Sequence, residues 1–295
     1  MRVVPGSITG WWRQVTEYWA LSKPRIWMVF AVEGAVGSML AWAPPMPFPW
    51  VRVSAVILVM AWGAAGAEAL TNVLDLAMDR VMQRTHTRPL PSGAVRPASA
   101  VVFGLVCIAF SLTTSAFLGL IPLLFVALGL IDNIVIYSAL SKRFSPWSIV
   151  LGSGSGAIPI WVGFSALKVP ISLNAWLLGV VILCWIPVHI WSVAWAYRDD
   201  YARAGVPMAP VVWSAATFRR SWYGALALLG IMSGLFAVRS LPLWLASAVI
   251  LATFLIGFGG YRWVLNPTAI GARRIFGAIN GYLVGFLLLI IVSRL

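Results

Sequence analysis

Long apolar runs alternate with short polar connections along most of the chain. Nine runs approach or exceed the length of about 20 residues that a helix needs to cross bilayer hydrocarbon. They lie at about 26–43, 51–74, 99–119, 121–138, 147–167, 174–197, 221–238, 241–261 and 275–293. Each predicts a membrane-spanning helix. Leu120-Ile121-Pro122 and Ser240-Leu241-Pro242 mark tight turns between the third and fourth and between the seventh and eighth. The expectation is an all-α integral membrane protein of one domain, residues 1–295, with nine helices and two longer polar loops at about 75–98 and 198–220.

Composition agrees with the pattern. Hydrophobic residues make up 61% of 295 positions and charged residues 10%, and the mean hydropathy is +0.92. Soluble domains carry about 25% charged residues, so this chain has too few to coat a water-facing surface. Many of the 17 Trp fall near the ends of apolar runs, where indole rings settle at headgroup level. Cys107 and Cys184 both lie inside apolar runs and have neither zinc nor disulfide spacing.

The net charge of +13 is uneven in its placement. Only Arg52, Lys168, Arg239 and Arg294 lie on the side opposite the N-terminus; the other Lys and Arg, Arg2 among them, share the N-terminal side. The positive-inside rule then predicts a cytoplasmic N-terminus and an outside C-terminus. Both long loops fall on the cytoplasmic side. Short basic loops between apolar runs are a topology signal and argue against nucleic acid as a partner. Met1–Trp19 shows neither a secretory leader nor a transit sequence, which favours a prokaryotic plasma membrane.

The eight acidic residues decide where chemistry is expected. Four form two pairs, each opening one of the long loops. Asn72, Asp75 and Asp79 stand at i, i+3 and i+7 and share one helical stripe, which Glu68 extends into the membrane. Two carboxylates on one face repel, and Mg²⁺ removes the conflict while accepting phosphate oxygens. Arg84 and Arg88 follow as diphosphate donors. Simple ion pairing of these aspartates with neighbouring arginines is the competing reading. Asp199 and Asp200 open the second loop, where they stand as ligands to a second metal or as a solvated loop start. Lys142 and Arg143 serve equally as diphosphate contacts or as topology anchors. Tyr137, one turn earlier, is placed to bond a phosphate. His86 lies in the first loop and His189 in the sixth run. Asp132 and Glu33 lie inside runs; the first is placed to bond a neighbouring helix, the second to line a cavity. Gly152, Gly154 and Gly156 read as close helix packing.

These residues carry a resemblance. Lys23-Pro24-Arg25, the stretch from Asp75 to Leu90 and Tyr137 through Arg143 are similar to the UbiA-type intramembrane prenyltransferase superfamily. So is Asp199-Asp200-Tyr201-Ala202-Arg203-Ala204-Gly205-Val206-Pro207-Met208 with Pro210-Val211-Val212, and this last stretch, preceded by His189 and Trp191, resembles the superfamily's heme-farnesylating branch, the heme O synthases or protoheme IX farnesyltransferases. Thr71 stands where the family usually has Asn, Ala77 where it has a middle acid, and Ser148 where it often has Asn. The resemblance implies nine helices around a central cavity that opens to lipid, and Mg²⁺-dependent ionisation of farnesyl diphosphate. It further implies attack by a vinyl group of heme B to give heme O, with His86 and His189 as candidate heme contacts because heme iron binds imidazole readily; heme A synthase or a terminal oxidase is the expected partner. Prenylation of a quinone precursor is the nearest alternative. A secondary transporter is a remote one, since no inverted repeat is visible and the acids gather at the interface.

Overall fold

The computed structural model describes residues 8–294; Arg2 and the rest of the first seven residues of Met1–Trp19 lie outside them. Among the described residues the secondary structure is entirely helical. α1 (Ile8–Leu21) precedes α2 (Pro24–Ala41), and α3 (Trp50–Leu74) passes through Asp75 into the short α4 (Leu76–Val81). α5 (Pro97–Leu118) and α6 (Leu120–Leu130) follow, and α6 continues as a π-helical segment, Ile131–Ser141. Next come α7 (Ser148–Leu151), α8 (Gly154–Ser165) and α9 (Leu173–Ala196). The short α10 (Arg198–Arg203) and α11 (Ala209–Val212) lead to α12 (Ala215–Ser240), α13 (Leu243–Leu265) and α14 (Ala269–Val292).

Starts and stops follow local chemistry. Pro24 and Pro97 open α2 and α5 in the first turn, where a missing N–H costs nothing. Ser172, Ser214 and Thr268 cap α9, α12 and α14 through their hydroxyls. Gly119, at φ 143°, makes the abrupt turn from α5 to α6.

Eight helical stretches are long and apolar enough to cross a membrane: α3, α5, α6 with its π segment, α7 with α8, α9, α12, α13 and α14. The protein is therefore multi-pass. The first expected span is helical as α2, but it has only 18 residues, carries Arg25 and Glu33, and is not among the eight. Two other expected spans depart from straight α-helices. The fourth widens into the π segment over its second half. The fifth breaks at Gly152-Ser153 into α7 and α8, and Pro159 denies α8 a further backbone bond.

α8 is the hub. Two-thirds of Ser148–Ser165 is buried, against 11% of an 18-residue apolar stretch within Leu120–Ser141, which therefore lies at the rim. α2 and α8 touch backbone to backbone. A Cβ on Gly37 would strike the Ile160 carbonyl, and one on Gly163 the Gly34 carbonyl. Ser38 Oγ donates to the carbonyls of Gly34 and Gly163 at 3.1 and 3.0 Å. Small residues that let helices approach this closely are how packing is gained in lipid, where apolar burial drives nothing. At the other extreme Phe117 is 86% exposed and Phe254, Val238 and Leu243 are open too, which suits a surface wetted by acyl chains.

Between α2, α3, α5, α6 and α8 lies an apolar slot open at its mouth, with about 470 Å³ of empty space when the mouth is included. Its walls include Ile26, Phe30, Val59, Met60, Ala64, Ala67, Val126, Ile158 and Pro159, and its polar margin is Glu68, Ser111, Asn133 and Ser155. Along α3 it runs from Glu68 to Val59, roughly 13 Å at 1.5 Å per residue.

Candidate active site

Met60, Ala64, Ala67, Thr71 and Asp75 recur every three or four residues, so the face of α3 that lines the slot ends in the acidic stripe. Thr71, Asn72, Asp75 and Asp79 are all buried. Asp75 caps α3, and its break lets α4 turn so that Asp79 also points inward.

Each carboxylate has a cation. Lys142 Nζ bonds Asp75 Oδ2, Arg88 Nη1 donates to Asp79 Oδ2 at 2.9 Å, and Lys23 Nζ donates to Glu68 Oε2 at 2.5 Å. Thr85 Oγ1 donates to the Asp79 carbonyl at 3.0 Å, folding the loop back on the stripe. The second acidic pair meets the first through its second member. The backbone N–H groups of Gln83 and Arg84 donate to the two oxygens of Asp200 at 3.2 and 3.0 Å, and Arg203 pairs with it as well. The Arg84 guanidinium lies 5.0 Å from the centre of the Tyr197 ring. Two loops far apart in sequence thus close over one site.

The π segment explains where Tyr137 and Lys142 stand. Its i→i+5 bonds, continued by Lys142 N–H to the Tyr137 carbonyl at 2.9 Å, align residues five apart. Asp132, Tyr137 and Lys142 form that line. Asp132 Oδ2 accepts the Ser155 N–H at 2.7 Å, anchoring the start of α8. Gly152 leaves room for the Tyr137 side chain, where a Cβ would collide. Lys142 lies 5.7 Å from the Tyr137 ring centre. Burial works against its charge, but Tyr137, Asp75 and Tyr201 outweigh it and hold the ammonium above its ordinary range.

The other expected positions fall less centrally. Asp199 has a side chain 85% exposed and pairs at 3.6 Å only with Arg198, so the structure does not bring it to the cluster. Arg143 donates to the Leu74 carbonyl at 2.6 Å and so tethers the end of α3. His86 is exposed and its Nδ1 sits 2.7 Å from the Gln83 carbonyl. His189 is stacked between Trp185 and Phe276 at 4.2 and 4.5 Å, with Nδ1 buried and without a partner. Glu33 is buried in α2 with Oε2 unpartnered and does not line the slot.

Two residues at the site are absent from the sequence-based set. Tyr197 lies under Arg84, and Tyr201 is buried beside Lys142. Tyr201 directly follows the Asp-Asp pair, which was the available signal; Tyr197 offered none.

Among the described residues no three His, Cys, Asp or Glu converge as a ready metal cage. Mg²⁺ needs none, because it takes one or two carboxylates and fills its shell with water or phosphate oxygens. Asp75 Oδ1 and Asn72 Oδ1 are both buried without a hydrogen-bond partner. Unsatisfied buried acceptors are costly, and two at i and i+3 fit a hard cation.

Several known proteins resemble the chain. A protoheme IX farnesyltransferase of Picrophilus torridus is 41% identical over 202 residues, 68% of each chain. One from a Nostoc species is 34% identical over 264 residues, 86% of this chain and 80% of its own. Among solved structures, a digeranylgeranylglyceryl phosphate synthase superposes with a TM-score of 0.77, covering 95% of this chain and 98% of that one at 16% identity. A UbiA homolog from Archaeoglobus fulgidus bound to GPP and Mg²⁺ gives 0.71 over 91% and 99%, at 17% identity. These two share the fold. The model of the UbiA prenyltransferase family matches residues 31–280, and with that span and those relatives the chain belongs to the UbiA prenyltransferase family.

Proposed function

We propose that the chain transfers the farnesyl group of farnesyl diphosphate to a vinyl group of heme B, giving heme O. The observation that carries the heme acceptor is the 41% identity to a relative named protoheme IX farnesyltransferase. The observation that supports prenyl transfer is geometric: an apolar slot ends at a buried acidic stripe ringed by cations.

Asn72, Asp75 and Asp79 would hold Mg²⁺, which supplies charge neutralisation that makes diphosphate a better leaving group. Asp200 joins the site by holding the Gln83–Arg84 backbone in place. The farnesyl tail lies in the slot, directed away from Asp75 along α3. Arg84, Arg88 and Lys142 face the diphosphate, and Tyr137 donates to it, so the leaving charge is received by groups already fixed in position. When the C1–O bond breaks, the apolar walls keep bulk water from the allylic cation. The vinyl carbon then supplies the electron pair for the new C–C bond, and water adds to the resulting cation and loses a proton, leaving a hydroxyethylfarnesyl side chain. His189, on its Trp185–Phe276 stack, and His86 are the candidate heme contacts.

The chain works as a single nine-span domain of a prokaryotic plasma membrane, with its N-terminus and both long loops cytoplasmic. The family match from 31 to 280 supports this reading, as does the crowding of Lys and Arg on one side. Its product passes to a heme A synthase or terminal oxidase.

The test is direct. Purified protein in lipid, given heme B, farnesyl diphosphate and Mg²⁺, should yield heme O by mass spectrometry, and chelation should stop it. Folded protein that instead prenylates a quinone precursor would overturn the heme acceptor.

A further inference from the structure

α1 is not part of any span, and its surface divides into three. Leu21 is buried and Tyr18 packs on Phe103 at 5.2 Å, joining the small core of Ala69, Leu90, Val95 and Ala100. Arg13 and Thr16 lie on a polar flank. Trp11, Val15, Trp19 and Trp12 fall within about 100° of one another at 3.6 residues per turn, and they stand largely open: the three indoles are 57%, 52% and 59% exposed, in the order Trp11, Trp19, Trp12. An apolar face of this size on a soluble surface marks a contact. Here one neighbour is already given. Trp19 meets Trp27 of α2 edge-on at 5.5 Å, and on the adjoining face of α2 Met28 and Val32 are exposed. The open face of α1 therefore adjoins exposed apolar side chains of α2. Indoles on a face flanked by exposed Arg13 and Arg25 match the headgroup layer of an anionic bilayer.

The far end of α1 is tied to the acidic stripe. The Leu21 carbonyl accepts Asn72 Nδ2 at 3.1 Å. A carbonyl can only face the NH₂ end of the amide, so this bond decides that Asn72 Oδ1, buried and unpartnered, is turned away from α1. Two residues on, Lys23 adopts the left-handed region at φ 48°, a conformation a lysine rarely takes, and reaches Glu68 at 2.5 Å. The junction of α1 and α2 thus holds two members of the stripe at once.

We propose that α1 lies in the headgroup layer of an anionic bilayer and from there orients Asn72, through the Leu21 carbonyl, for the cation bound between Asn72 and Asp75. The orienting role rests on the metal reading above; the membrane docking does not.

The test uses Val15→Cys and Thr16→Cys in the full chain. Cys107 and Cys184 are buried, so a thiol-reactive fluorophore marks the new site. In nanodiscs containing phosphatidylglycerol, a lipid-borne nitroxide should quench the label at 15 several-fold more than at 16, and aqueous iodide should do the reverse. Equal iodide access at both positions would overturn the docking. So would protection of position 15 from both quenchers, which would mean that a protein partner or second copy covers the face. For the orienting role, Trp11→Ala with Trp19→Ala should raise the Mg²⁺ concentration that half-stabilises the protein against heat with pyrophosphate present, by several-fold. An unchanged midpoint in that variant would overturn the orienting role. If the unmodified protein shows no stabilisation by Mg²⁺, the metal reading itself has failed, while the quenching result still stands or falls by itself.

Discussion

The loop after α3 and the loop after α9 both begin with aspartates, yet they use them differently. In the first, Asp75 and Asp79 are both buried, both face inward and each is matched by a separate cation, Lys142 and Arg88. In the second, Asp200 is buried and Asp199 is exposed to solvent. Helical spacing accounts for the difference. Residues four apart share a face, whereas adjacent residues are turned by about 100°. The first loop therefore presents a pair, and the second presents one carboxylate that is occupied with Gln83, Arg84 and Arg203. In the reading proposed above the first loop offers ligand atoms, while the second, through Asp200, holds the Gln83–Arg84 backbone as a lid over the site.

The largest effect should come from breaking the first pair. Asp75→Asn or Asp79→Asn should lower turnover by about 10²–10³-fold, the scale seen when one preorganised electrostatic group is removed from a reacting centre. Measured kcat in lipid, beside a melting curve that shows the variant folded, checks this. Full activity in both variants would show that the stripe is only a set of ion pairs. Asp200→Ala should act through the loop. It leaves the Gln83 and Arg84 N–H groups without their acceptor, at about 1–3 kcal/mol if they find no other. The expected result is roughly a tenfold rise in KM for the diphosphate with a smaller change in kcat, and faster proteolysis at residues 83–88.

How much of this could be read beforehand follows from the same geometry. The stripe at 72, 75 and 79 was legible because it depends only on helical period, and the apolar runs were legible because lipid demands length. The division of labour between Asp199 and Asp200 was not legible. Two identical neighbours differ only once α10 is docked against the first loop. The π segment was equally hidden, since its apolar pattern suits an α-helix as well, and with it the line from Asp132 through Tyr137 to Lys142. Lys142 had two readings, topology anchor and diphosphate contact. The structure adds a third, the partner of Asp75, because residues 67 positions apart meet there. The break at Gly152-Ser153 was also missed, because glycines spaced at 152, 154 and 156 suit close packing of an unbroken helix as well as they suit a break.

Lys142 gives a smaller and pH-coded effect. Its native ammonium is held above its ordinary range, whereas in the unfolded chain a lysine titrates near about 10.4. A raised native value means that the contribution is fully present below the unfolded value and fades only as pH rises through the native one. The difference in melting temperature between the unmodified protein and Lys142→Met should therefore be constant from about pH 6 to 9. A difference that shrank across that range would mean that Lys142 loses its proton there and that Asp75 does not hold it.

The smallest expected effect is also the sharpest test of the comparison. Asp199→Ala removes a carboxylate that is exposed and paired only at 3.6 Å with a half-exposed Arg198. Such surface pairs contribute little, with a median of about 0–1 kcal/mol. If the lid is held by Asp200 alone, Asp199→Ala should change kcat and the Mg²⁺ requirement by less than about twofold, well inside the tenfold expected for its neighbour. A loss comparable to that of Asp75→Asn would mean that α10 turns when substrate binds and delivers Asp199 to a second metal. The two loops would then be equivalent in the working enzyme, and the asymmetry of the free protein would belong to its resting state.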